Sequence, residues 1–270
     1  MYKNKLQIYC VTNKRIKKIE NTNYKLAAVG KNIFPKNYLR CDTGDNIFYK
    51  EEYYSELTFH YWFWKNKLDT KNDNWIGFCQ KRRFWVDKLF FNKKINEKNY
   101  LNVTLKKVPD EWAQYNSIIC QPINVNNLKK MKILKKGLRY LIKKPSILFN
   151  TKKQNIALHF NLHHGNGNLD KAISVLDQSD QKDFFQYVNT KTSFNPHLMF
   201  IAKPIVHDRW FKTVFPWLER CEKIFGFKNL KGYETKRLYA YLAERYLSFW
   251  FKKYTNCLEW PWIFVKYDEK

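Results

Sequence analysis

WIGFCQKRRFW, residues 75–85, joins a short apolar run to three consecutive cations. Every position of Trp75–Cys79 is apolar or small, which is typical of a strand that is buried on both faces of a sheet. Lys81, Arg82 and Arg83 follow this strand after a single glutamine, so three like charges stand side by side at its end. Because like charges repel one another, the pattern predicts an anionic ligand at this end of the strand.

Four further segments are short and apolar, and we predict that they are strands of the same sheet: Leu6–Val11, Tyr24–Val29, Ser117–Cys120 and Leu198–Ala202. Apolar residues at helical spacing predict helices over residues 54–64, 211–222 and 238–249. Strands alternate with helices in the first half of the chain, and helices dominate the second half. This order predicts an α/β protein with a Rossmann-like, doubly wound nucleotide-binding half and a helix-rich C-terminal part.

The composition fits a folded protein with anionic partners. The chain has 270 residues, of which 44% are hydrophobic, and this is enough for a substantial core. Its net charge of +26 favours nucleic acid, acidic lipid or phosphorylated substrates. The alternative explanation for this charge is a Lys- and Asn-rich genome, since the chain has 41 Lys but only 9 Arg. The arginines are therefore the more informative cations.

The six cysteines are scattered, and none stand in C-x-x-C spacing, which argues against a zinc site. The chain shows no signal-peptide pattern and no apolar window long enough to span a membrane. We therefore expect a cytoplasmic protein with reduced thiols.

Segment 129–144, KKMKILKKGLRYLIKK, contains eight Lys or Arg and no acidic residue. Its leucines and methionine repeat at helical spacing. A basic amphipathic helix of this kind is typical of anionic membrane surfaces, where each cation adds about 1 kcal/mol. The alternative is an ordinary surface helix whose apolar side packs against the core.

Polar and cationic residues follow three of the predicted strands directly. Open α/β sheets bind ligands at the carboxyl ends of their strands, so we expect these residues to line one crevice. Arginine suits a diphosphate site there, because its planar guanidinium binds phosphate oxygens in pairs. The alternative for the two arginines is an ion pair with a local acid such as Asp87. The candidates are Thr12, Asn13, Lys14, Gly30, Gln80, Lys81, Arg82 and Arg83.

Residues 41–66 place carboxylates before and inside an aromatic segment. Asp42–Asp45 predicts a tight turn, in which the aspartates would serve as turn or capping residues. Glu56 is predicted to lie one turn into an aromatic helix. A buried carboxylate there needs a partner, either a nearby arginine or a ligand hydroxyl.

Several motifs resemble those of a capsular polysaccharide synthesis family of presumed glycosyltransferases. Residues 42–47, DTGDNI, are similar to the family's DTGDNIS, and residues 55–66, SELTFHYWFWKN, resemble CELT…YWxWKN. Residues 77–85, GFCQKRRFW, stand where the family has GLCHYRRYF. Residues 195–202, NPHLMFIA, and 237–245, RLYAYLAER, resemble the NMFI and RxxGYxxER elements. The order and spacing of the motifs agree over most of the chain.

The chain departs from the family pattern at three positions. Ser55 replaces the family's Cys, and Gln80 and Lys81 replace a His and a Tyr, whereas both arginines are retained. The resemblance therefore implies donor binding more directly than it implies chemistry, and an inactive sugar-binding relative is one alternative. Segment 129–144 looks like an insertion relative to the family.

The resemblance implies a nucleotide-sugar glycosyltransferase of the A-type (GT-A) fold. In many such enzymes a strand ends in Asp-x-Asp, which holds a divalent metal against the donor diphosphate, and here Gln80, Lys81 and Arg82 stand in that place. The cations are expected to neutralise the leaving diphosphate themselves, without a metal cofactor, with Mn²⁺ or Mg²⁺ as the alternative. The resemblance adds Asp42, Asp45, Asn46, Ser55 and Glu56 to the donor-site candidates, with Glu56 at a ribose or sugar hydroxyl.

A transferase that inverts the anomeric centre needs a general base for the acceptor hydroxyl. His163, His164 and Glu244 are candidates for that role, and Asp45 is a further catalytic candidate. The histidines lie beside a Gly- and Asn-rich stretch, so simple solvation is their alternative. Glu244 precedes Arg245, and a structural ion pair is the alternative there.

Asn195 and His197 precede a predicted strand and, with His163 and His164, are candidates for contacts to the transferred sugar or the acceptor. For Asn195 and His197, the alternative role is the capping of a turn.

We expect one glycosyltransferase domain over residues 1–270, with a nucleotide-sugar half at 1–125, a basic insertion at 126–150 and an acceptor-side helical half at 151–270. Its expected partners are a nucleotide-diphosphate sugar, with UDP-sugars favoured, a glycan or lipid-linked acceptor, and the inner face of the cell membrane. A rival interpretation is a basic nucleic-acid-binding protein whose aromatic residues stack bases. Most aromatic residues fall at helical core spacing and no nucleic-acid motif is present, so no specific nucleic acid is expected.

Overall fold

The computed structural model describes residues 5–90, 95–96, 98–126 and 154–267, and within them lie eleven β-strands and nine α-helices. The strands are β1 (Leu6–Thr12), β2 (Lys25–Ala28), β3 (Leu39–Arg40), β4 (Trp75–Gln80), β5 (Arg83–Trp85), β6 (Ser117–Cys120), β7 (Ile123–Asn124), β8 (Ser193–Phe194), β9 (Phe200–Ala202), β10 (Cys257–Trp260) and β11 (Trp262–Phe264). The α-helices are α1 (Glu51–Tyr54), α2 (Leu57–Asn66), α3 (Tyr100–Val103), α4 (Ile156–His164), α5 (Asn168–Ile173), α6 (Gln178–Thr190), α7 (Pro204–Phe225), α8 (Tyr233–Lys236) and α9 (Leu238–Tyr254).

A mixed sheet contains nine of these strands. Its main path runs β10-β6-β9-β4-β1-β2-β3, and β5 and β11 pair beside β4. The pairs β4–β1, β1–β2, β2–β3 and β10–β6 are parallel, whereas β9 is antiparallel to both of its neighbours. The predicted α/β class, with a mostly parallel sheet, is therefore confirmed.

All five predicted strands are present as β1, β2, β4, β6 and β9, with ends that differ by two residues at most. The predicted helices at 211–222 and 238–249 lie inside α7 and α9. The other six strands are two to four residues long and were not predicted.

The helix predicted over 54–64 is interrupted, which corrects the placement of Glu56. Helix α1 ends at Tyr54, Ser55 has a positive φ of 51°, and α2 begins at Leu57. A residue with positive φ cannot continue a right-handed helix. Glu56 is therefore the N-cap residue of α2 and does not lie one turn into a helix.

The chain divides into two compact units. The first comprises Met1–Gln121, His197–Thr213 and Trp250–Lys270, and it holds the large sheet. The second comprises Pro122–Pro196 and Val214–Phe249, so each unit is built from more than one stretch of chain.

In the first unit, β4 is covered on both faces because its side chains alternate in direction. Trp75 faces a layer in which Trp112 lies between Trp75 and Trp260, at ring-centroid distances of 5.0 and 5.3 Å. Phe78 points the other way and packs against Phe63 of α2 at 5.5 Å. Burying one such side chain contributes about 1.5–3 kcal/mol, so these contacts fix α2 on the sheet. Gln80 falls on the same face as Phe78 and α2.

The second unit is mainly helical and has its own core. Trp217 of α7 donates a hydrogen bond from Nε1 to the carbonyl of Ala172 at 2.8 Å and packs against Tyr246 of α9 at 4.9 Å. The Tyr246 hydroxyl donates to the carboxylate of Asp180 on α6. Strands β7 and β8 form a separate antiparallel pair in this unit.

The basic segment 129–144, with its predicted helix, lies outside the described residues. Among the helices that are described, none has the length and apolar character needed to cross a bilayer.

Candidate active site

Three predicted strand ends lie at one edge of the sheet. The parallel register pairs Thr12 of β1 with Ala28 of β2, and Val11 of β1 with Gln80 of β4. Backbone hydrogen bonds continue past the strands, from the Val29 N–H to the Thr12 carbonyl at 2.9 Å and from the Lys81 N–H to the Val11 carbonyl at 3.2 Å. The polar residues that follow these strands are therefore neighbours.

The three cations of residues 81–83 occupy a tight turn and its exit. Gln80 and Arg83 face each other in the antiparallel pair of β4 and β5, so Lys81 and Arg82 are the two central residues of a hairpin turn. The carbonyl of Arg82 accepts a hydrogen bond from the Val265 N–H at 2.8 Å, which ties the turn to the C-terminal segment.

Neutral amides are the hydrogen-bond partners of two of these cations. Lys81 Nζ donates to Asn13 Oδ1 at 2.7 Å, and Arg83 Nη1 donates to Gln80 Oε1 at 2.7 Å. An amide satisfies a donor without cancelling its charge. Arg83, paired with the Gln80 amide, therefore keeps a positive field at the end of β4, which is the condition for binding an anion.

A fourth strand adds Arg40, which sequence reasoning missed. Arg40 ends β3, and its Nη1 donates to the Asn32 carbonyl at 3.1 Å, while Asn32 Nδ2 donates to the Asn13 carbonyl at 2.6 Å. Arg40 also pairs with Asp42 at 2.8 Å. The only sequence signal was an arginine just before the DTGD turn, since a two-residue strand leaves no pattern.

The segment from Asp42 to Asn46 is held by helix α2. Tyr61 donates from its hydroxyl to Asp45 Oδ1 at 3.2 Å, and Trp62 Nε1 donates to the Thr43 carbonyl at 2.8 Å. Asn66 Nδ2 donates to the Asp45 carbonyl at 2.8 Å. The DTGDN and YWFWKN motifs therefore form one structural unit, and the donor-binding and catalytic roles of these acids stay predictions.

The remaining candidates for donor binding are Asn46, Thr12, Lys14 and Gly30, and each has its own local contacts or burial. Asn46 Oδ1 accepts from the Phe48 N–H at 3.1 Å, as expected of a turn residue. Thr12 is buried, and its Oγ1 accepts from the Lys14 N–H at 3.1 Å, while the Lys14 side chain is exposed. Gly30 is buried just beyond β2.

Gln80 joins three parts of the first unit through one side chain. Its Nε2 donates to Glu56 Oε1 and to the His197 carbonyl, the latter at 2.9 Å, and its Oε1 accepts from Arg83. Glu56 can reach it because α2 and Gln80 lie on the same face of the sheet.

Backbone strain is concentrated around this side chain. Among the described residues, Ser55, His197 and Leu198 are the non-glycine residues with positive φ, at 51°, 79° and 49°. Each costs about 1–3 kcal/mol, and such residues cluster at functional sites. Ser55 precedes the carboxylate that Gln80 binds, and His197 supplies the carbonyl that Gln80 binds.

His163 and His164 lie at the C-terminal end of α4, in the second unit. The Nδ1 of His163 lies 2.8 Å from the His159 carbonyl, and the Nδ1 of His164 lies 2.8 Å from the Glu234 carbonyl. Because a carbonyl only accepts, Nδ1 is the donor in both contacts. His164 is buried and stacks on Tyr241 at 3.8 Å.

Glu244, Arg245 and Asn195 also belong to the second unit. Arg245 is buried, forms an ion pair with Glu244 and lies 3.8 Å from the ring centroid of Phe194. Burial lowers the pKa of this guanidinium, and the Glu244 carboxylate opposes that shift. The Asn195 N–H donates to Ser248 Oγ at 2.6 Å. His197 belongs to the first unit, where its ring lies edge-on to Trp262 at 4.6 Å.

The end of β4 does not fit a divalent cation. Lys81 and Arg83 follow Gln80 directly at this strand end, and their charge repels a metal ion. In the described part of the chain, no group of three His, Cys, Asp or Glu side chains is placed to hold one.

A known glycosyltransferase has a similar fold. The apo structure of WbbM, a bifunctional glycosyltransferase, matches this protein with a TM-score of 0.72 at 19% sequence identity. The match covers 98% of this chain and 46% of that chain, so the protein spans less than half of this relative. At this identity the likeness concerns the fold, which is GT-A-like. A search among curated proteins finds no match.

The sequence also matches the model of a protein family. The match runs from residue 7 to residue 256 and so includes both units. The chain therefore belongs to the family described as "Domain of unknown function (DUF4422)".

Proposed function

We propose that the protein is a glycosyltransferase that moves a sugar, a hexose or a related one, from a nucleotide-diphosphate donor to a glycan or lipid-linked acceptor. The GT-A-like fold and the motif resemblance support this function. The observation that carries it is the edge formed by β1 to β4, where Arg83 donates to the neutral amide of Gln80 and so keeps its charge.

The chemistry follows from where negative charge appears. When the sugar leaves, the diphosphate gains charge, and preorganised cations lower the energy of that state more than the energy of the bound substrate. Loss of one such donor typically costs about 2.7–4 kcal/mol in the rate-limiting barrier. In this proposal Lys81, Arg82 and Arg83 perform the neutralisation, and Glu56 contacts a hydroxyl of the donor.

The acceptor is assigned to residues of the second unit. His163 and His164 are two candidates for the general base, with Nε2 as the accepting nitrogen because Nδ1 contacts a backbone carbonyl in each. Glu244 is the third candidate for the base, and Asn195 is a candidate for a sugar contact. We propose capsule or surface polysaccharide assembly as the setting, with UDP-sugars as donors and the basic segment 129–144 at an anionic membrane surface.

A thermal-shift screen of nucleoside diphosphates and nucleotide sugars tests the function directly. A specific ligand raises the melting temperature by mass action, so the best ligand identifies the donor class. We expect one nucleotide to stand out, with turnover of its sugar conjugate. A shift without turnover of any donor would indicate an inactive relative. Binding of generic DNA with no nucleotide shift would contradict the proposal.

Metal independence has its own test. Lys81 and Arg83 take the place of a metal in this mechanism, so donor hydrolysis or transfer should persist in excess EDTA. The measurement is product release from the best donor with EDTA, with EDTA followed by Mn²⁺, and without chelator. Complete loss in EDTA that Mn²⁺ restores would overturn this part of the mechanism.

A further inference from the structure

We propose that Gln80 is a positioning residue that holds a neutral amide between Arg83 and Glu56 and so keeps the guanidinium available to a diphosphate. The proposal rests on the proposed function and assigns to this chain's own glutamine a role at the same site. Gln80 Oε1 accepts from Arg83 Nη1 at 2.7 Å, and Gln80 Nε2 donates to Glu56 Oε1. One amide group therefore lies between opposite charges.

A side-chain amide can make both contacts because it carries an acceptor oxygen and a donor nitrogen. A carboxylate at position 80 would accept from Arg83 but repel Glu56, and a lysine would donate to Glu56 but repel Arg83. An aliphatic side chain would do neither, and the two charges would then attract each other without anything between them. A direct ion pair would use the guanidinium that the diphosphate needs.

Arg83 is only partly buried and keeps its charge in the observed arrangement, because its hydrogen-bond partner Gln80 is neutral. Its Nε is buried and has no hydrogen-bond partner among the described residues, and its guanidinium carbon lies 5.4 Å from the ring centroid of Phe264. An arginine with unsatisfied donors beside an aromatic ring is oriented but not neutralised.

The backbone supports the position of the amide. Gln80 Nε2 makes its second hydrogen bond to the His197 carbonyl at 2.9 Å, and His197 and Leu198 both have positive φ. Two strained residues in succession are maintained only where the surroundings fix them, and here they present a carbonyl to Gln80.

Calorimetry with inorganic pyrophosphate in EDTA tests this role without any sugar transfer. Gln80→Met should weaken pyrophosphate binding by about tenfold or more, because the guanidinium pairs with Glu56. Adding Glu56→Gln should restore the affinity to within about threefold of the wild type, since the competing charge is gone. Gln114→Met, at an exposed glutamine, is the matched control and should change nothing.

A second pair of variants separates this role from a merely structural one. Gln80→Glu places a carboxylate directly on Arg83, so Glu56→Gln should fail to rescue it. The role is overturned if wild-type protein does not bind pyrophosphate, if Gln80→Met binds it normally, or if Glu56→Gln leaves Gln80→Met weak. The predicted pattern together with no turnover of any nucleotide sugar would overturn only the proposed function.

Discussion

At the scale of single residues, local contacts explain how three adjacent cations can stand at the end of one strand. Lys81 and Arg82 are the central residues of a hairpin turn, and Arg83 donates to the neutral amide of Gln80, which does not cancel its charge. The sequence predicts that these cations stand at a strand end. It does not predict their directions or partners, since these depend on a turn and on contacts between distant parts of the chain.

The amide at position 13 gives the first prediction. Asn13→Asp replaces the neutral partner of Lys81 with a carboxylate of the same shape, so the lysine charge is cancelled locally. We expect the affinity for UDP to fall about fivefold, equivalent to about 1 kcal/mol, with little change in stability. Isothermal titration calorimetry is the measurement.

Asn72→Asp is the matched control, because it adds the same charge in the exposed turn before β4, at the other end of that strand. Equal losses in the two variants would mean that overall charge, and not the partner of Lys81, controls the affinity.

At the scale of elements, the long apolar strands are predictable and the pieces that complete the site are not. β1, β2 and β4 have clear patterns, whereas β3, which places Arg40, has only two residues. The break at Ser55 was also invisible, because the aromatic spacing continues through it. The backbone conformation of Ser55, and not a change in the apolar spacing, separates α1 from α2.

The contact between the DTGDN segment and α2 gives the second prediction. Gly44 has φ +64°, and a Cβ built on it would lie 2.2 Å from Asn66 Oδ1. Gly44→Ala should therefore destabilise the protein by about 2–4 kcal/mol, through backbone strain at positive φ and through the collision of the new Cβ with Asn66. Asn66→Ala loses hydrogen bonds worth about 1–3 kcal/mol. The double variant should cost about 1 kcal/mol less than the sum, because the collision partner is gone.

Urea unfolding measures these differences. Gly226→Ala is the control, because Gly226 has φ +56° and open space around the same position, so it reports backbone strain without a collision. Strict additivity of the Gly44 and Asn66 substitutions would contradict the proposed contact.

At the scale of the whole molecule, the sequence predicts the α/β class but not the division of the chain. The first unit takes in residues 197–213 and 250–270 from the far half of the sequence. Strands β9 and β10 join β6 within one sheet, although 79 residues or more separate β6 from each of them along the chain. Long-range pairing of this kind leaves no mark in a local pattern.

Two buried histidines make the third prediction, which concerns global stability. His60 lies 4.1 Å from the Phe78 ring, and His207 Nε2 donates to the Ile76 carbonyl at 2.9 Å. Burial lowers the pKa of His60 to about 3, with repulsion from His207 adding to the shift, and burial lowers the pKa of His207 to about 4. Both side chains are therefore neutral in the folded protein at moderately acidic pH.

The sign follows from proton binding. Below about pH 6.5 the unfolded chain binds protons at both histidines and the folded chain does not. The free energy of unfolding therefore decreases as the pH is lowered, until the folded pKa values are reached. Each histidine costs about 1.4 kcal/mol per pH unit in that window. When the pH is lowered from 6.5 to 5, the free energy of unfolding of His60→Leu should therefore decrease by about 2 kcal/mol less than that of the wild type.

Urea unfolding at several pH values checks this expectation. Between pH 7.5 and 8.5 the two proteins should show parallel behaviour, which serves as the internal control. The same acid dependence in both proteins would show that His60 is not buried in the neutral form.

The most direct test of the account is UDP binding by wild-type protein and Arg83→Met in EDTA, measured by calorimetry. The account predicts binding by the wild type, a loss of about tenfold or more in Arg83→Met, and no more than about a twofold change in Arg209→Met, a cation exposed on α7. Equal affinities of the wild type and Arg83→Met, or wild-type binding only after a divalent metal is added, would contradict it.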